Sequence, residues 1–314
     1  MRIGAIDCGT NSIRLLIAEV QQGADGPELR DVVRMMKIVR LGEGVDSTHR
    51  FADAALQRTF AVAREYAALI AEHRVESLRF GATSATRDAE NRDVFINEIQ
   101  NILGVQPEVI SGTEEAALSF VGAVSAIGNS EENTLVIDLG GGSTEFVLGN
   151  QSGVSAAYSA NIGCVRLTER HQVSAPMTAQ QRELIEADVD VAIEEVLQHV
   201  DLCRAQRLVG VAGTVTTVVA QALNLESYDS SVINATELSV EKIEQAANDL
   251  ANMSREEREA LGFMHSGRVD VIGTGAVIWA RIVRAISERT GAVVNSAIAS
   301  EFDILDGLVL SQIK

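Results

Sequence analysis

Proline, cysteine and aromatic residues are scarce in this 314-residue chain, which contains three prolines, three cysteines and 4% aromatic residues. Because prolines are few and no segment is low in complexity, the sequence offers no candidate for a disordered linker. The cysteines, Cys8, Cys164 and Cys203, are odd in number and widely spaced, and they predict neither a disulfide framework nor a zinc site. Cys8 has no basic partner nearby in sequence, so we expect a buried thiol rather than a nucleophile.

Positive charge is also in short supply, since 26 lysines and arginines face 44 acidic residues and the formal net charge is −18. A nucleic-acid-binding protein normally shows a basic surface, so this balance argues against nucleic acid as a partner. The same negative charge opposes the approach of a long polyanion, although cations bound to that polyanion would offset part of the repulsion. The 46% apolar residues are typical of a globular protein with a substantial core.

Neither a signal peptide nor a membrane span is expected. Asp7 comes too early for the apolar region of a secretory signal. The longest uncharged run, Leu208 to Leu225, contains glycines, threonines, Gln221 and Asn224. These residues predict a buried strand, a turn and a helix rather than a helix that crosses a bilayer. We therefore expect a cytoplasmic protein.

An internal repeat is the most informative pattern in the sequence. The stretch IDCGTNS at Ile6–Ser12 returns as IDLGGGS at Ile137–Ser143, 131 residues later. Each copy follows one apolar run and precedes another, so each predicts a strand, a tight loop and a second strand. One copy alone could be a coincidence, but two copies in the same context predict homologous loops in the two halves of the chain.

Beyond each predicted hairpin the apolar spacing lengthens toward the 3.6-residue period of helices. The elements predicted are helices at Ala54–Ala71, Asp88–Ile102, Glu183–Val200 and Val269–Ile286, a strand and small-residue loop at Leu78–Arg87, and a strand, glycine turn and helix at Arg207–Val218. Two halves that alternate strands and helices predict an α/β protein in which the copies of a duplicated domain enclose a cleft.

Both loops have the composition of phosphate-binding loops. Their glycines would let the backbone approach an anion closely and point several N–H groups at it. Polar side chains that would add donors are Thr10, Asn11, Ser12, Ser143 and Thr144. The aspartates Asp7 and Asp138 would repel a phosphate, so we expect them, with Glu145, to bind a magnesium ion that bridges protein and substrate.

Five motifs make a family resemblance specific, and in chain order they are CGTNS at Cys8–Ser12, SATR at Ser84–Arg87, SGTEEA at Ser111–Ala116, DLGGGSTE at Asp138–Glu145 and GCVRLTE at Gly163–Glu169. With them the sequence resembles the exopolyphosphatase/guanosine pentaphosphate phosphohydrolase family, a branch of the superfamily of sugar kinases, heat-shock chaperones and actin. The resemblance implies two ribonuclease-H-like domains with the active site in the cleft between them. It also implies Mg²⁺ dependence and hydrolytic release of a terminal phosphate from a phosphoanhydride.

The resemblance gives roles to individual residues. Its phosphate loops correspond to Gly9, Thr10, Asn11 and Ser12 and to Gly140, Gly141, Gly142 and Ser143. Its remaining site residues correspond to the metal-associated acids Asp138 and Glu145, the basic residue Arg87 and a catalytic glutamate within the pair Glu114–Glu115. The expected domains are residues 1–125 with 300–314, which carry the first loop and the glutamate, and residues 126–299, which carry the second loop.

Local geometry separates the two glutamates. Ser111 and Glu114 fit a capping box, in which the serine caps the helix and the glutamate side chain bonds back to the serine N–H. Glu115 lies about 100° further round the helix, so we expect it to reach the substrate and act as the base that deprotonates the attacking water. The alternative is that both glutamates only complement the helix dipole.

Arginines would supply further phosphate contacts. Arg87 suits phosphate because its guanidinium group is planar, although it could instead pair with Asp88 or Glu90. Arg166 and Arg268 are weaker candidates of the same kind. A modest basic strip follows the first loop and consists of Arg30, Arg34, Lys37 and Arg40. A strip of this length favours short polyphosphates.

The sequence as a whole favours exopolyphosphatase activity on inorganic polyphosphate, and guanosine pentaphosphate is the nearest alternative substrate. The segment Val211–Thr217 corresponds to the region where the superfamily holds an adenosine, which makes a nucleotide pocket conceivable. A small-molecule kinase and a nucleotide-dependent binding clamp are further alternatives, which phosphate release and transfer to an acceptor would separate. The resemblance favours a homodimer, and we expect no C-terminal helical domain of the kind that longer members carry.

Overall fold

The computed structural model describes residues 1–23, 26–128 and 130–313. The chain divides into two compact units, one formed by Met1–Gly122 with Ile304–Lys314 and the other by Ala123–Asp303. Each unit contains one β-sheet and several helices, which confirms the predicted α/β class. The cleft expected between the two halves stays a prediction.

Each sheet begins with three consecutive antiparallel strands. The first sheet consists of β1 (Arg2–Cys8), β2 (Ser12–Gly23), β3 (Gly26–Ile38), β4 (Ser77–Ala82) and β5 (Glu108–Val109), in the order β3-β2-β1-β4-β5. The second consists of β6 (Thr134–Leu139), β7 (Thr144–Asn150), β8 (Gly153–Ala160), β9 (Arg207–Val211), β10 (Glu237–Ser239) and β11 (Ser296–Ala299), in the order β10-β11-β9-β6-β7-β8. In both sheets a later strand, β4 or β9, runs parallel to the first strand of the hairpin. The repeat seen in the sequence is thus a repeat of sheet topology.

The helices follow the sheet strands in both units. They are α1 (Val45–Thr48), α2 (Asp53–Glu72), α3 (Ser84–Asp88), α4 (Arg92–Leu103), α5 (Gly112–Ile127), α6 (Cys164–Arg170), α7 (Ala179–Val196), α8 (Ala212–Ala222), α9 (Ser230–Ile233), α10 (Val240–Asn252), α11 (Arg255–Glu259), α12 (Ile272–Arg289) and α13 (Ile304–Leu310). No helix in the described ranges combines the length and apolarity that a bilayer span requires. The apolar run from Leu208 to Leu225 forms β9 and α8, as predicted.

Three of the predicted helix starts are wrong, and one of them is that of α12, which begins at Ile272 instead of the predicted Val269. Helix α7 begins four residues before the predicted Glu183, because Thr178 caps it and Gln181 completes a capping box. The predicted helix at Asp88–Ile102 begins only at Arg92, and its first residue instead closes the short helix α3. The residues after β4, which were predicted to form a loop, therefore form the short helix α3, and Arg87 lies on this helix.

Strand alternation covers both faces of the first sheet. Ile6 on β1 belongs to the core under α2 and α4, whereas Ile3 and Ala5 belong to a second core beneath α13. Asp7 shares the face of Ile3 and Ala5 because it is two residues further along the strand. In the second unit, α12 packs on the sheet with Trp279 fully buried. Each hairpin loop therefore extends from a sheet that packs against a buried hydrophobic core.

Candidate active site

The two hairpin loops share one backbone hydrogen bond. In the first loop the N–H of Gly9 donates to the carbonyl of Ser12 with an N···O distance of 3.0 Å, and in the second Gly140 donates to Ser143 over the same distance. A Cβ atom at Gly140 would lie 2.9 Å from the carbonyl oxygen of Ser143, so this turn requires glycine. The internal repeat preserves one backbone turn.

The start of α6 holds the carbonyl groups of the second loop. Three successive carbonyls accept hydrogen bonds, Gly140 from Cys164 N at 3.1 Å, Gly141 from Val165 N at 2.9 Å and Gly142 from Arg166 Nε at 2.6 Å. Within one planar peptide group the C=O and the N–H point in opposite directions. The N–H groups of Gly141, Gly142 and Ser143 therefore point away from α6, as donors to an anion would.

The close approach of α6 to this loop depends on Gly163. A Cβ atom at this position would lie 2.4 Å from the carbonyl oxygen of Gly141, and backbone atoms cannot yield to it. The glycine of the GCVRLTE motif thus positions the second loop without facing the ligand side.

The segment after β3 holds the first loop in a similar way. The N–H of Gly42 donates to the carbonyl of Thr10 over 2.8 Å, and Val39 donates to the carbonyl of Asn11 over 3.0 Å. The peptide N–H groups of Asn11 and Ser12 therefore point to the opposite side. The Oδ1 atom of Asn11 is buried with no hydrogen-bond partner in the described part of the chain, which suits contact with a ligand.

The first loop is connected to the predicted basic residue and the predicted base. The hydroxyl groups of Thr10 and Ser84 are 2.9 Å apart, and Ser84 begins the short helix that carries Arg87. Arg87 Nη1 donates to Glu115 Oε2 over 2.6 Å and to the carbonyl of Ile110 over 3.1 Å. Glu115 is 7% exposed, so its ion pair with Arg87 is largely buried. The three predicted features thus form one contact chain within the first unit.

Glu114 has a different environment from Glu115. Its backbone N–H donates to Ser111 Oγ over 3.2 Å, which confirms the serine half of the predicted capping box. The carboxylate, however, accepts from Arg79 Nη2 over 2.5 Å, so the prediction that it bonds back to the serine N–H is wrong. Glu114 is half-exposed in a surface ion pair with an arginine from β4.

The predicted metal ligands Asp138 and Glu145 lie directly opposite each other on β6 and β7. Both side chains are buried, and Glu145 Oε1 accepts from the hydroxyl groups of Ser143 and Ser159, each over 2.7 Å. The described residues include no cluster of three or more histidine, cysteine or acidic side chains arranged to hold a metal ion. Two carboxylates nevertheless fit Mg²⁺, which is commonly bound through one or two carboxylates together with water and substrate phosphates.

Asp7, the third predicted metal ligand, is engaged differently. It lies opposite Arg14 on β2, and Arg14 donates to its Oδ2 atom from Nε over 2.9 Å and from Nη2 over 2.7 Å. The carboxylate is 6% exposed. An arginine thus supplies positive charge where the sequence predicted a metal ion.

The predicted basic strip carries little uncompensated charge. Arg30 forms an ion pair with Glu19, and Arg34 forms ion pairs with Asp31 and with Asp306 on α13. Lys37 lies 3.8 Å from Glu65. Except for Asp31, these acids lie outside the strip in the sequence, so the sequence pattern could not reveal most of the neutralisation.

Arg268 contacts the Val211–Thr217 segment more closely than the sequence indicated. Its guanidinium group lies directly against Gly213, where a Cβ atom would be 2.1 Å from Nη2. The preceding residue, Ala212, has a left-handed backbone with φ 73°, and Val211 lies beside Asp138 on the neighbouring parallel strand. The guanidinium group of Arg268 therefore lies against the segment Val211–Thr217, where a nucleotide pocket was conceivable. The sequence carried no signal for this turn, since a left-handed backbone is rare outside glycine and is not expected at an alanine.

Two of the cysteines lie beside the loops but are inert. Burial, together with the charge of Asp7, raises the pKa of the Cys8 thiol well above its ordinary value. Burial likewise raises the pKa of Cys164 to about 11. Thiolates are therefore rare at neutral pH, and the expectation of a buried, unreactive Cys8 is confirmed.

Each unit has a glycine-containing turn of the kind that binds anions, and the first unit also has a buried carboxylate beside an arginine, whereas the second has a facing pair of acids. These features are typical of an α/β enzyme that acts on phosphate groups. The model of the Ppx/GppA phosphatase family matches residues 16–312. The chain therefore belongs to the Ppx/GppA phosphatase family, which confirms the resemblance seen in the sequence.

Known relatives agree with this placement. Exopolyphosphatase 2 of Mycobacterium tuberculosis is 47% identical over 99% of this chain and 98% of its own length. A crystal structure of an exopolyphosphatase-like protein is 48% identical, with a TM-score of 0.93 over 99% of this chain and 97% of that one. An exopolyphosphatase structure from Cytophaga hutchinsonii has a TM-score of 0.87 at 26% identity, over 99% and 97% of the two chains. The guanosine-5'-triphosphate,3'-diphosphate pyrophosphatase of Photobacterium profundum is 31% identical over 67% of this chain and 41% of its own.

Proposed function

We propose that this protein is an exopolyphosphatase, which hydrolyses the terminal phosphoanhydride bond of inorganic polyphosphate and releases orthophosphate. The observation that carries the proposal is the buried Glu115 carboxylate, held by Arg87 within the contact chain that begins at the first phosphate loop. The full-length similarity to exopolyphosphatase 2 supports polyphosphate as the substrate class.

In the proposed reaction a water molecule attacks the terminal phosphorus atom. The bond from that phosphorus to the bridging oxygen breaks, and the shortened polyphosphate leaves with this oxygen. Glu115 orients the water and accepts its proton, since hydrolysis of a phosphoanhydride depends mainly on positioning and charge neutralisation. The loop N–H groups hold the non-bridging oxygens. Arg87, which pairs with Glu115 in this structure, donates to the terminal phosphate when substrate is bound.

Asp138 and Glu145 would hold a divalent cation, which we propose to be Mg²⁺. The ion, when bound, supplies positive charge to the phosphate oxygens. The hydroxyl groups of Ser143 and Ser159 hold the Glu145 carboxylate, and Glu145 lies opposite Asp138 in the strand register. The register thus places both ligands at neighbouring positions.

Two observations bear on the choice of substrate. The guanidinium group of Arg268 covers Gly213 and fills space in the segment that could have held a nucleoside, which favours polyphosphate over guanosine pentaphosphate. Acids neutralise the cations Arg30, Arg34 and Lys37, so the surface of β3 offers a long polyanion little attraction. Short chains are therefore the proposed substrates.

The test measures phosphate release from short polyphosphate, long polyphosphate, guanosine pentaphosphate and ATP, with and without Mg²⁺. We expect Mg²⁺-dependent release from short polyphosphate, and Glu115→Gln should lower kcat by about 10²-fold or more. Glu114→Gln is the matched control, because Glu114 pairs with Arg79 on the surface and should leave kcat within about threefold.

Other outcomes would redirect the proposal. Release from guanosine pentaphosphate alone would make that nucleotide the substrate, and transfer of labelled phosphate to an acceptor would indicate a kinase. Wild-type activity in Glu115→Gln would remove Glu115 from the role of base. The homodimer and the cytoplasmic location expected from the sequence stay predictions, and sedimentation of the purified chain would test the first.

A further inference from the structure

The two hairpins place different chemistry at equivalent positions. In the second sheet, Asp138 on β6 lies opposite Glu145 on β7, which lies opposite Ser159 on β8. In the first sheet the corresponding row consists of Asp7, Arg14 and Met36. The repeat offset of 131 residues relates Asp7 to Asp138 and Arg14 to Glu145. Side chains directly opposite each other in antiparallel strands point to the same face and interact.

The row in the second unit is acidic. Asp138 and Glu145 bring two carboxylates to neighbouring positions of a buried site, and the serine hydroxyl groups that contact Glu145 are neutral. Like charges at this spacing repel each other unless a cation lies between them. The row thus has the charge and the oxygen donors that a divalent cation requires.

In the first unit the acid of the row pairs with an arginine through one of its two oxygens, Oδ2. Arg14 directs two N–H donors at Asp7 Oδ2 over 2.9 and 2.7 Å, which makes a charge-assisted pair with both side chains largely buried. The third position of the row holds the thioether of Met36 instead of a hydroxyl group. Thioethers are poor ligands for Mg²⁺, and a guanidinium group repels a cation.

We infer that Arg14 takes the place of a metal ion at the first phosphate loop, so that the chain binds its divalent cation at Asp138 and Glu145 and not at Asp7. Arg14 is then a positioning residue. It holds Asp7 at the end of β1 and neutralises a carboxylate that would otherwise repel the phosphate bound by Gly9–Ser12. The inference rests on the proposed metal site of the second hairpin, and it does not depend on which phosphoanhydride is hydrolysed.

The test counts bound Mn²⁺ by electron paramagnetic resonance, with no substrate present. Wild type should bind one ion per chain, and Asp138→Asn and Glu145→Gln should each weaken binding by about tenfold or more. Asp7→Asn should leave the Mn²⁺ affinity within about threefold. The double variant Asp7→Asn with Arg14→Met removes both charges of the pair, and it should also retain the site.

A gain-of-site variant makes the test sharper. Arg14→Glu gives the first row the same two acids as the second, so a folded Arg14→Glu chain should bind a second Mn²⁺ ion. Circular dichroism reports whether it folds, and if it does not, the Asp7 variants decide. The inference is overturned if Asp7→Asn weakens Mn²⁺ binding as much as Glu145→Gln, or if folded Arg14→Glu still binds one ion. Absence of phosphate release with the expected binding pattern would count against the proposed function alone.

Discussion

The carboxylate of Glu115 accepts a hydrogen bond from Arg87 over 2.6 Å, although the two residues are 28 positions apart and belong to different helices. The pair combines the proposed base with the proposed phosphate ligand before any substrate is present. Substrate must therefore compete with Glu115 for the guanidinium group. This exchange would place the negative charge of Glu115 next to the attacking water at the moment when Arg87 turns to the phosphate.

Replacement of Arg87 by methionine should affect both binding and turnover. If Arg87 donates to the phosphate, the variant loses a charge-assisted contact, and KM for short polyphosphate should rise by about tenfold. The kcat value should fall as well, because Glu115 loses the partner that positions it. Arg87→Lys should recover part of the loss in KM, since it retains the charge. A fall in kcat with an unchanged KM would mean that Arg87 serves Glu115 alone.

The two phosphate loops should respond differently to alanine. A Cβ atom at Gly140 meets a backbone carbonyl at 2.9 Å, whereas at Gly9 the nearest atom is the Thr83 hydroxyl at 3.7 Å. Gly140→Ala should lower the free energy of unfolding by about 1–3 kcal/mol, and Gly9→Ala should change it by less than about 0.5 kcal/mol. Urea denaturation of both variants measures the difference. Equal losses would show that the second turn adapts to a side chain.

The contact between Asp306 and Arg34 should stabilise the C-terminal helix on the first sheet. Asp306 is 1% exposed and pairs with Arg34 of β3, which also pairs with the exposed Asp31. Asp306→Asn should cost about 1–3 kcal/mol of unfolding free energy, because the charge-assisted bonds are lost in a buried site. The matched variant Asp31→Asn removes the exposed partner of the same arginine and should cost less than about 1 kcal/mol. The prediction fails if the two variants are equally stable.

Acid should weaken the segment around His265. Burial and the nearby Arg268 lower the pKa of His265 below its ordinary value of 6.5, and its Nδ1 atom accepts from the N–H of Gly267 over 3.1 Å. The unfolded chain therefore takes up this proton more readily than the folded one. The stability that His265 contributes is complete above pH 6.5 and falls as the pH drops below that value.

Chemical denaturation between pH 7 and pH 5 checks this pH dependence. His265→Gln keeps an acceptor for Gly267 without a titrating group, and it should flatten the decline. His49→Gln, at an exposed position, should leave the decline as in wild type. A slope that survives His265→Gln would assign it to other groups.

The sequence was informative where neighbouring residues determine the structure. The repeat predicted both hairpins, and the uncharged run at Leu208–Leu225 predicted a strand and a helix, because turn glycines and apolar spacing act locally. The start of α7 was also readable, since Thr178 and Gln181 have the spacing of a capping box. Apolar periodicity alone placed this start too late.

Pairings between distant residues could not be read from the sequence. Asp306 on α13 pairs with Arg34, and Glu65 on α2 lies near Lys37, so a basic strip in the sequence became a set of ion pairs in the fold. The 131-residue repeat already showed that Arg14 is equivalent to Glu145. The ion pair between Arg14 and Asp7 could not be read from the sequence, because it depends on the strand register that places the two residues opposite each other.

The contact between α6 and the second loop has a practical consequence for altering this enzyme. The peptide groups that present donors on one side are fixed by bonds on the other, made by residues 164–166 behind Gly163. Substitutions that redesign the ligand side of the loop would have few side chains to change, because glycine provides most of it. Substitutions in α6 offer another way to change the affinity for phosphate, because they can shift the loop without contacting the phosphate itself.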